Sequence, residues 1–273
     1  MPAFAAGQAQ LQPQFGAALH RQEDFPARAG HHHITCGNCN LRETCLSGGV
    51  PDVDLDRVAN IVYARRQVKR GEHLFSAGDE FKCLYAIRGG FFKTSLIDSR
   101  GREQVTGFFM NGELLGMDGL GDGRCQVHAI ALQDSLVCTM PYLQIEQVSQ
   151  DVPALQRRLH AMLAREIVRN QGLMLLLGSM STDERLAAFL MNLSKRYRYR
   201  GYSGADFTLH MTRAEIGSYL GLELETVSRA FSRFHKRGLI DVKQKRVSIL
   251  DHDGLAQTLE SSGLITRAVP FRF

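Results

Sequence analysis

The chain has 273 residues, with 33 Lys+Arg against 28 Asp+Glu, 44% hydrophobic and 22% charged residues, and 6 Cys. This is an ordinary globular composition, so wholesale disorder is excluded, and the length suits two modest domains. No run of apolar residues is long enough to cross a membrane and no secretory signal opens the chain, so a cytoplasmic protein with reduced thiols is expected.

The net charge of +5 is unevenly placed. Residues 1–182 hold 18 basic and 18 acidic side chains, residues 183–246 hold 13 and 7, and residues 247–273 hold 2 and 3. The positive excess therefore sits in one C-terminal segment, as an electrostatic footprint for nucleic acid does.

Residues 1–30 are rich in Ala, Gln, Pro and Gly and read as a flexible tail. His31, His32 and His33 follow, and then Cys36-x2-Cys39-x5-Cys45. Three cysteines so close suit soft-metal chemistry, either zinc or an iron–sulfur cluster. A closed site needs a fourth ligand, and spacing alone leaves Cys83, Cys125, Cys138 and the histidine tract open.

From about Gly71 to Pro141 short apolar runs alternate with Gly-bearing turns. The runs are Leu84–Ile87, Phe91–Leu96, Gln104–Phe109, Gln126–Leu132 and Ser135–Met140. Their spacing predicts a small β-sandwich or barrel. Over 152–178, Leu155, Leu159, Leu163, Ile167, Asn170, Met174 and Leu177 step by three or four. That stripe predicts a long helix, with Pro153 near its start, that pairs with a second copy. Asn170 is its one polar member.

Asp183-Glu184 open a further helix. Thr212 and Glu215 form a capping box, and Gly221 supplies a tight turn before a second helix that runs from near Glu225 to Arg237. Val227, Phe231 and Phe234 are its expected buried stripe, while Glu225, Ser228, Arg229, Ser232 and Arg233 lie on the other face. Two such helices make a helix-turn-helix that reads double-stranded DNA in the major groove. Arg forks onto guanine, Glu accepts from cytosine and Ser bonds either type of group. Lys236, Arg237, Lys243, Lys245 and Arg246 suit phosphate contacts, and Leu239–Val242 with Arg246–Leu250 read as a hairpin wing.

These features together resemble the fumarate and nitrate reduction regulator (FNR) family of the Crp superfamily of bacterial transcription factors. The resemblance rests on TCGNCNLRETC, FSAGDEFKCLYAIRGG, GFFMNGELLGMDGLG, SLVCTMP, DERLAAFLMNLS and MTRAEIGSYLGLELETVSRAFSRF. It implies an α+β chain with an N-terminal β-roll (a jelly roll of the cyclic-nucleotide-binding kind), a long dimerisation helix and a C-terminal winged helix-turn-helix. The implied divisions are a tail (1–30), a cysteine-rich loop (31–50), a roll (51–150), a dimerisation helix (151–182), a DNA-binding domain (183–250) and a C-terminal extension (251–273).

By the same resemblance, Cys36, Cys39, Cys45 and Cys138 hold a [4Fe–4S] cluster. Dimerisation then depends on the intact cluster, through Leu159, Leu163, Ile167, Asn170 and Met174. Oxygen converts the cluster to [2Fe–2S], the homodimer loosens and DNA binding is lost. Glu225, Ser228 and Arg229 are implied to read TTGAT half-sites in an inverted repeat, with Thr212, Arg213, Ser232 and Arg233 beside them. The loop Ile97–Glu103 corresponds to the part that contacts RNA polymerase, although Arg102 stands where acidic residues are common.

Two rival readings are a regulator controlled by a cyclic nucleotide, through Glu113 and Arg124, and a zinc-stabilised DNA-binding protein. No nucleophile–base set or nucleotide loop points to an enzyme.

Overall fold

The computed structural model describes residues 36–260. The expected tail at 1–30, the histidines at 31–33 and the residues from 261 onward lie outside them.

A turn-rich loop carrying three cysteines leads into a short helix, α1 (Leu55–Ile61). Eight strands follow: β1 (Ala64–Val68), β2 (His73–Phe75), β3 (Cys83–Gly89), β4 (Phe91–Ile97), β5 (Glu103–Met110), β6 (Leu114–Leu115), β7 (His128–Ala131) and β8 (Ser135–Pro141). They form two four-stranded sheets, ordered β1-β8-β3-β6 and β2-β7-β4-β5, whose neighbouring strands run antiparallel. Val68, Phe92, Phe109, Leu115 and Val137 make one core of this roll. Strand alternation supplies them, since successive side chains face opposite sides of a sheet.

The expected strand over Gln126–Leu132 is shorter than its apolar pattern. The backbone N–H groups of Gln126 and Val127 donate to the Asp118 carboxylate at 2.7 and 3.2 Å, so they leave the ladder. The sequence reading also missed α1, which buries Leu55, Val58, Ala59 and Ile61, and α2 (Tyr142–Asp151), in which Ile145 is the buried residue.

The predicted long helix is α3 (Pro153–Ser179), with Pro153 in its first turn. Its apolar stripe divides by depth. Leu155, Leu159 and Met162 pack into a core shared with the roll and the cysteine loop. Ile167, Val168 and Met174 are exposed, as is Asn170.

Helix α4 (Thr182–Tyr199) starts one residue before Asp183, and Ser181 and Glu184 close a capping box around its first turn. Next come β9 (Asp206–Thr208), α5 (Arg213–Leu220), α6 (Leu224–Lys236), β10 (Ile240–Lys243) and β11 (Arg246–Ile249). The wing is wider than the expected hairpin, since β9 pairs with β11 to give the order β10-β11-β9. Residues 251–260, read from sequence as an extension, include a helix, α7 (His252–Glu260), whose Leu255 and Leu259 are buried in the core.

Candidate metal centre and nucleic-acid interface

The cysteine loop lies over one face of the β1-β8-β3 sheet. Cys138 on β8 stands opposite Arg65 of β1 and Ala86 of β3. Directly opposed residues share a face, so this face carries Cys138, Arg65 and Arg88. Cys36, Cys45 and Cys138 all pack against the core that holds Leu46, Val50, Leu84 and Leu155. An Arg88 Nη1–H donates to the Cys39 sulfur at 3.8 Å.

The thiols sense one another. Burial, and then the neighbouring Cys138 and Cys39, push the Cys36 thiol up to about 11. Burial pushes Cys45 to about 12, with Cys138 and Cys36 adding to the rise. Burial likewise raises Cys138. Cys83 and Cys125 are also raised to about 12 by burial, but in other surroundings. Cys125 belongs to the roll's inner core, and acidic Asp118 and Asp79 are its charged neighbours.

Among the described residues, no three His, Cys, Asp or Glu side chains converge closely enough to hold a metal ion as they stand. The donor chemistry nevertheless fits an iron–sulfur cluster. Three soft thiols, Cys36, Cys45 and Cys138, border one apolar core, Cys39 is a neighbour of Cys36 and Cys138, and Arg65 and Arg88 favour the deprotonated forms of Cys36 and Cys138.

The nucleic-acid face is built by the helix-turn-helix. The Thr212 hydroxyl accepts the Glu215 N–H at 3.2 Å, and a Glu215 carboxylate oxygen accepts the Thr212 N–H at 2.7 Å. Gly221 ends α5 at φ +63°, a conformation that other residues adopt at a cost. Val227, Phe231 and Phe234 are buried, which turns Glu225, Ser228, Arg229, Ser232 and Arg233 outward as expected.

Several of the proposed DNA residues are already engaged. Arg213 lies over the Phe231 ring at 3.4 Å from its centroid, and burial pushes its pKa down to about 10. Arg233 is ion-paired with Asp183 of α4. The Ser232 hydroxyl donates to the Ser228 carbonyl at 3.1 Å.

Sequence reasoning missed the residues that tie these modules together. Lys93 on β4, 8% exposed, bridges Glu103 of β5 and Glu215 of α5 at 2.8 and 3.1 Å. The Val105 N–H donates to the Ser218 hydroxyl at 2.8 Å. Arg185 of α4 donates to the carbonyls of Leu177, Met180 and Leu220 at 2.9, 2.8 and 2.9 Å, fastening the end of α3 to the turn of the helix pair. Glu113 accepts from Arg196 and Arg200 of α4 at 2.6 Å each. Most of these contacts join elements far apart in sequence, such as Arg196 with Glu113 and Val105 with Ser218.

The residues expected to pair with a second copy do not behave alike. Leu159 is 7% exposed and packs within its own core. Leu163 is half-buried against that core. Ile167 and Met174, 59% and 72% exposed, and Asn170 remain on a free face.

The residues named for a cyclic nucleotide are also separated. Glu113 faces α4 and borders a cavity of about 510 Å³ with Arg165, Arg169, Arg196 and Arg200. Arg124 is exposed and donates to the Gly78 carbonyl at 2.8 Å, outside that lining.

Comparison with known proteins agrees with this architecture. Residues 65–151 match a cyclic nucleotide-binding domain and residues 184–258 a Crp-like helix-turn-helix domain. A transcriptional regulatory protein, Btr, of Bordetella pertussis is 42% identical over 224 residues, 82% of this chain and 93% of that protein. The fumarate and nitrate reduction regulatory protein of Escherichia coli K12 is 40% identical over 230 residues, 84% of this chain and 92% of that protein. Among solved structures, FixK2 of Bradyrhizobium japonicum superposes with a TM-score of 0.66 at 27% identity. The match covers 71% of this chain and 96% of that one.

Proposed function

Since the chain belongs to the Crp/FNR family of transcription regulators, and is a DNA-binding regulator rather than an enzyme, we propose that it controls transcription in response to oxygen. In this reading Cys36, Cys39, Cys45 and Cys138 hold a [4Fe–4S] cluster. Once bound, that group supplies an oxygen-labile tie between the loop and strand β8. The observation that carries the reading is that Cys36, Cys45 and Cys138 border one core, with Cys39 a neighbour of Cys36 and Cys138, whereas Cys125 lies in the roll's other core.

The remaining roles belong to the chain's own side chains. Ile167, Asn170 and Met174, with the half-buried Leu163 at the edge, receive the same face of a second copy. A homodimer presents two recognition helices to an inverted repeat, so loss of pairing removes half of the contacts. Glu225, Ser228 and Arg229 read the TTGAT-type half-site, with Thr212 and Ser232 beside them. Lys236, Arg237, Lys243, Lys245 and Arg246 neutralise phosphates. The hairpin end Ile97–Glu103 meets RNA polymerase. There the Asp98 carboxylate accepts from the backbone of Arg100 and Arg102, each at 2.9 Å, and pairs with the Arg102 side chain.

The test is anaerobic purification, with absorption spectra and operator binding followed before and after air. The expected result is a brown protein that bleaches in step with loss of TTGAT-site binding. Cys138→Ser should abolish the chromophore and Cys125→Ser should leave it. A colourless anaerobic protein, or equal loss in both variants, defeats the assignment.

A further inference from the structure

Arg158 stands on the second turn of α3, beside the cysteine loop. Its Nε–H donates to the Cys45 carbonyl at 3.0 Å, and its Nη2–H donates to the Glu43 carbonyl at 2.6 Å. The planar guanidinium holds both carbonyls at once, which fixes the loop in angle as well as position. Gly48 makes this approach possible. A Cβ there would meet Arg158 Cζ, Arg158 Nη2 and the Glu43 carbonyl oxygen, each at 2.8 Å. Beneath these bonds, Leu46 and Val50 of the loop share one core with Leu155, Leu159 and Met162 of the helix.

The far end of this contact is the free face of α3. Ile167 follows Arg158 by nine residues, about 13.5 Å at about 1.5 Å per residue. Neither Pro nor Gly interrupts that stretch, so it acts as one stiff rod.

We infer that Arg158 is a positioning residue that transmits the state of the cysteine loop to the face of α3 that receives a second copy. The inference rests on the proposed reading of the loop as the cluster's holder. Cys45 supplies both a thiol of the proposed ligand set and the carbonyl that Arg158 grips. A displacement of Cys45 when its sulfur gains or loses a partner is therefore passed to the helix through two directed hydrogen bonds. Apolar packing alone would transmit it less specifically, because packing tolerates sliding.

The test uses the full chain, purified anaerobically, as wild type, Arg158→Ala, Arg158→Lys and Gly48→Ala. Iron and sulfide per chain are measured first. The monomer–dimer constant is then measured by sedimentation before and after air. In the wild type, loading should tighten the dimer by about tenfold or more. In Arg158→Ala that ratio should fall towards one while iron content stays full. Arg158→Lys, which keeps the charge but loses the fork, should be intermediate. Gly48→Ala, which disturbs the same contact from the loop side, should also lower the ratio.

Full loading of Arg158→Ala with an unchanged ratio overturns the inference. So does failure of Arg158→Ala to load, since the residue would then only support the loop. If the wild type itself takes up no iron, the reading of the loop fails, and the inference falls with it.

Discussion

Arg229 and Arg213 show how the same residue type takes different work within one helix pair. Arg229 is exposed on the outer face of α6, and its Nε–H reaches only the Glu225 carbonyl of its own helix, at 3.4 Å. Its fork is therefore available to a guanine edge in the major groove. Arg213 is half-buried, seated on Phe231, where the ring face attracts the cation and covers it. Arg229→Ala should relax preference at one base pair of the half-site by about 1–3 kcal/mol, checked by competition binding against single-base variants. Equal weakening against every sequence would make Arg229 a phosphate contact instead.

Between elements, the β4–β5 hairpin and α5 form the seam where the roll meets the DNA-binding module. Phe108 of β5 packs against Phe189 and Tyr219, with ring centroids 6.1 and 5.2 Å away. Lys93 closes the polar edge of that seam. Burial alone would lower its pKa, but the hydrogen bonds it donates to Glu103 and Glu215 outweigh this and raise it. Lys93→Met keeps the apolar stem and removes the charge, leaving Glu215 without its cation. The expected loss is about 1.5–3 kcal/mol, the worth of a hydrogen bond to a charged group. Urea unfolding measures it, and the protein should also be cleaved sooner by limited proteolysis between roll and helix pair. Unchanged stability and cleavage would mean that the aromatic contact holds the seam alone.

Across the whole molecule, one half-buried carboxylate, that of Glu113, joins the roll to α4. Burial alone would raise the Glu113 carboxyl, but Arg196 and Arg200 outweigh burial and hold it at about 2, against an ordinary 4.5. A carboxylate depressed in the folded state adds stability above its unfolded pKa. That stability is lost as pH falls through the folded value. Glu113→Gln should therefore cost about 3–5 kcal/mol near neutral pH, because it strands two arginines in a buried site. The gap between wild type and variant should close as pH falls from 4.5 towards 2. Denaturant titration at several pH values checks this, and a gap that stays constant down to pH 3 would show that Glu113 carries no such charge.

Much of this protein was legible in one dimension because the signals involved are local. A capping box spans three residues, a left-handed turn needs one glycine, and a buried stripe repeats every three or four positions. Thr212 to Phe234 carries all three, so the helix pair and its outward face followed from the residues alone. The grouping of Cys36, Cys39 and Cys45 was equally visible, and Cys138 came from family resemblance.

What only the tertiary structure decided is how the modules are joined. Arg158 meets Glu43 across 115 residues, and Arg196 meets Glu113 across 83. It also divided the stripe of α3, burying Leu159 in its own core and leaving Ile167 and Met174 free. Periodicity reports that a helix has an apolar side. Which neighbour covers each turn of that side depends on how far the roll extends along the helix, and only the folded chain specifies that.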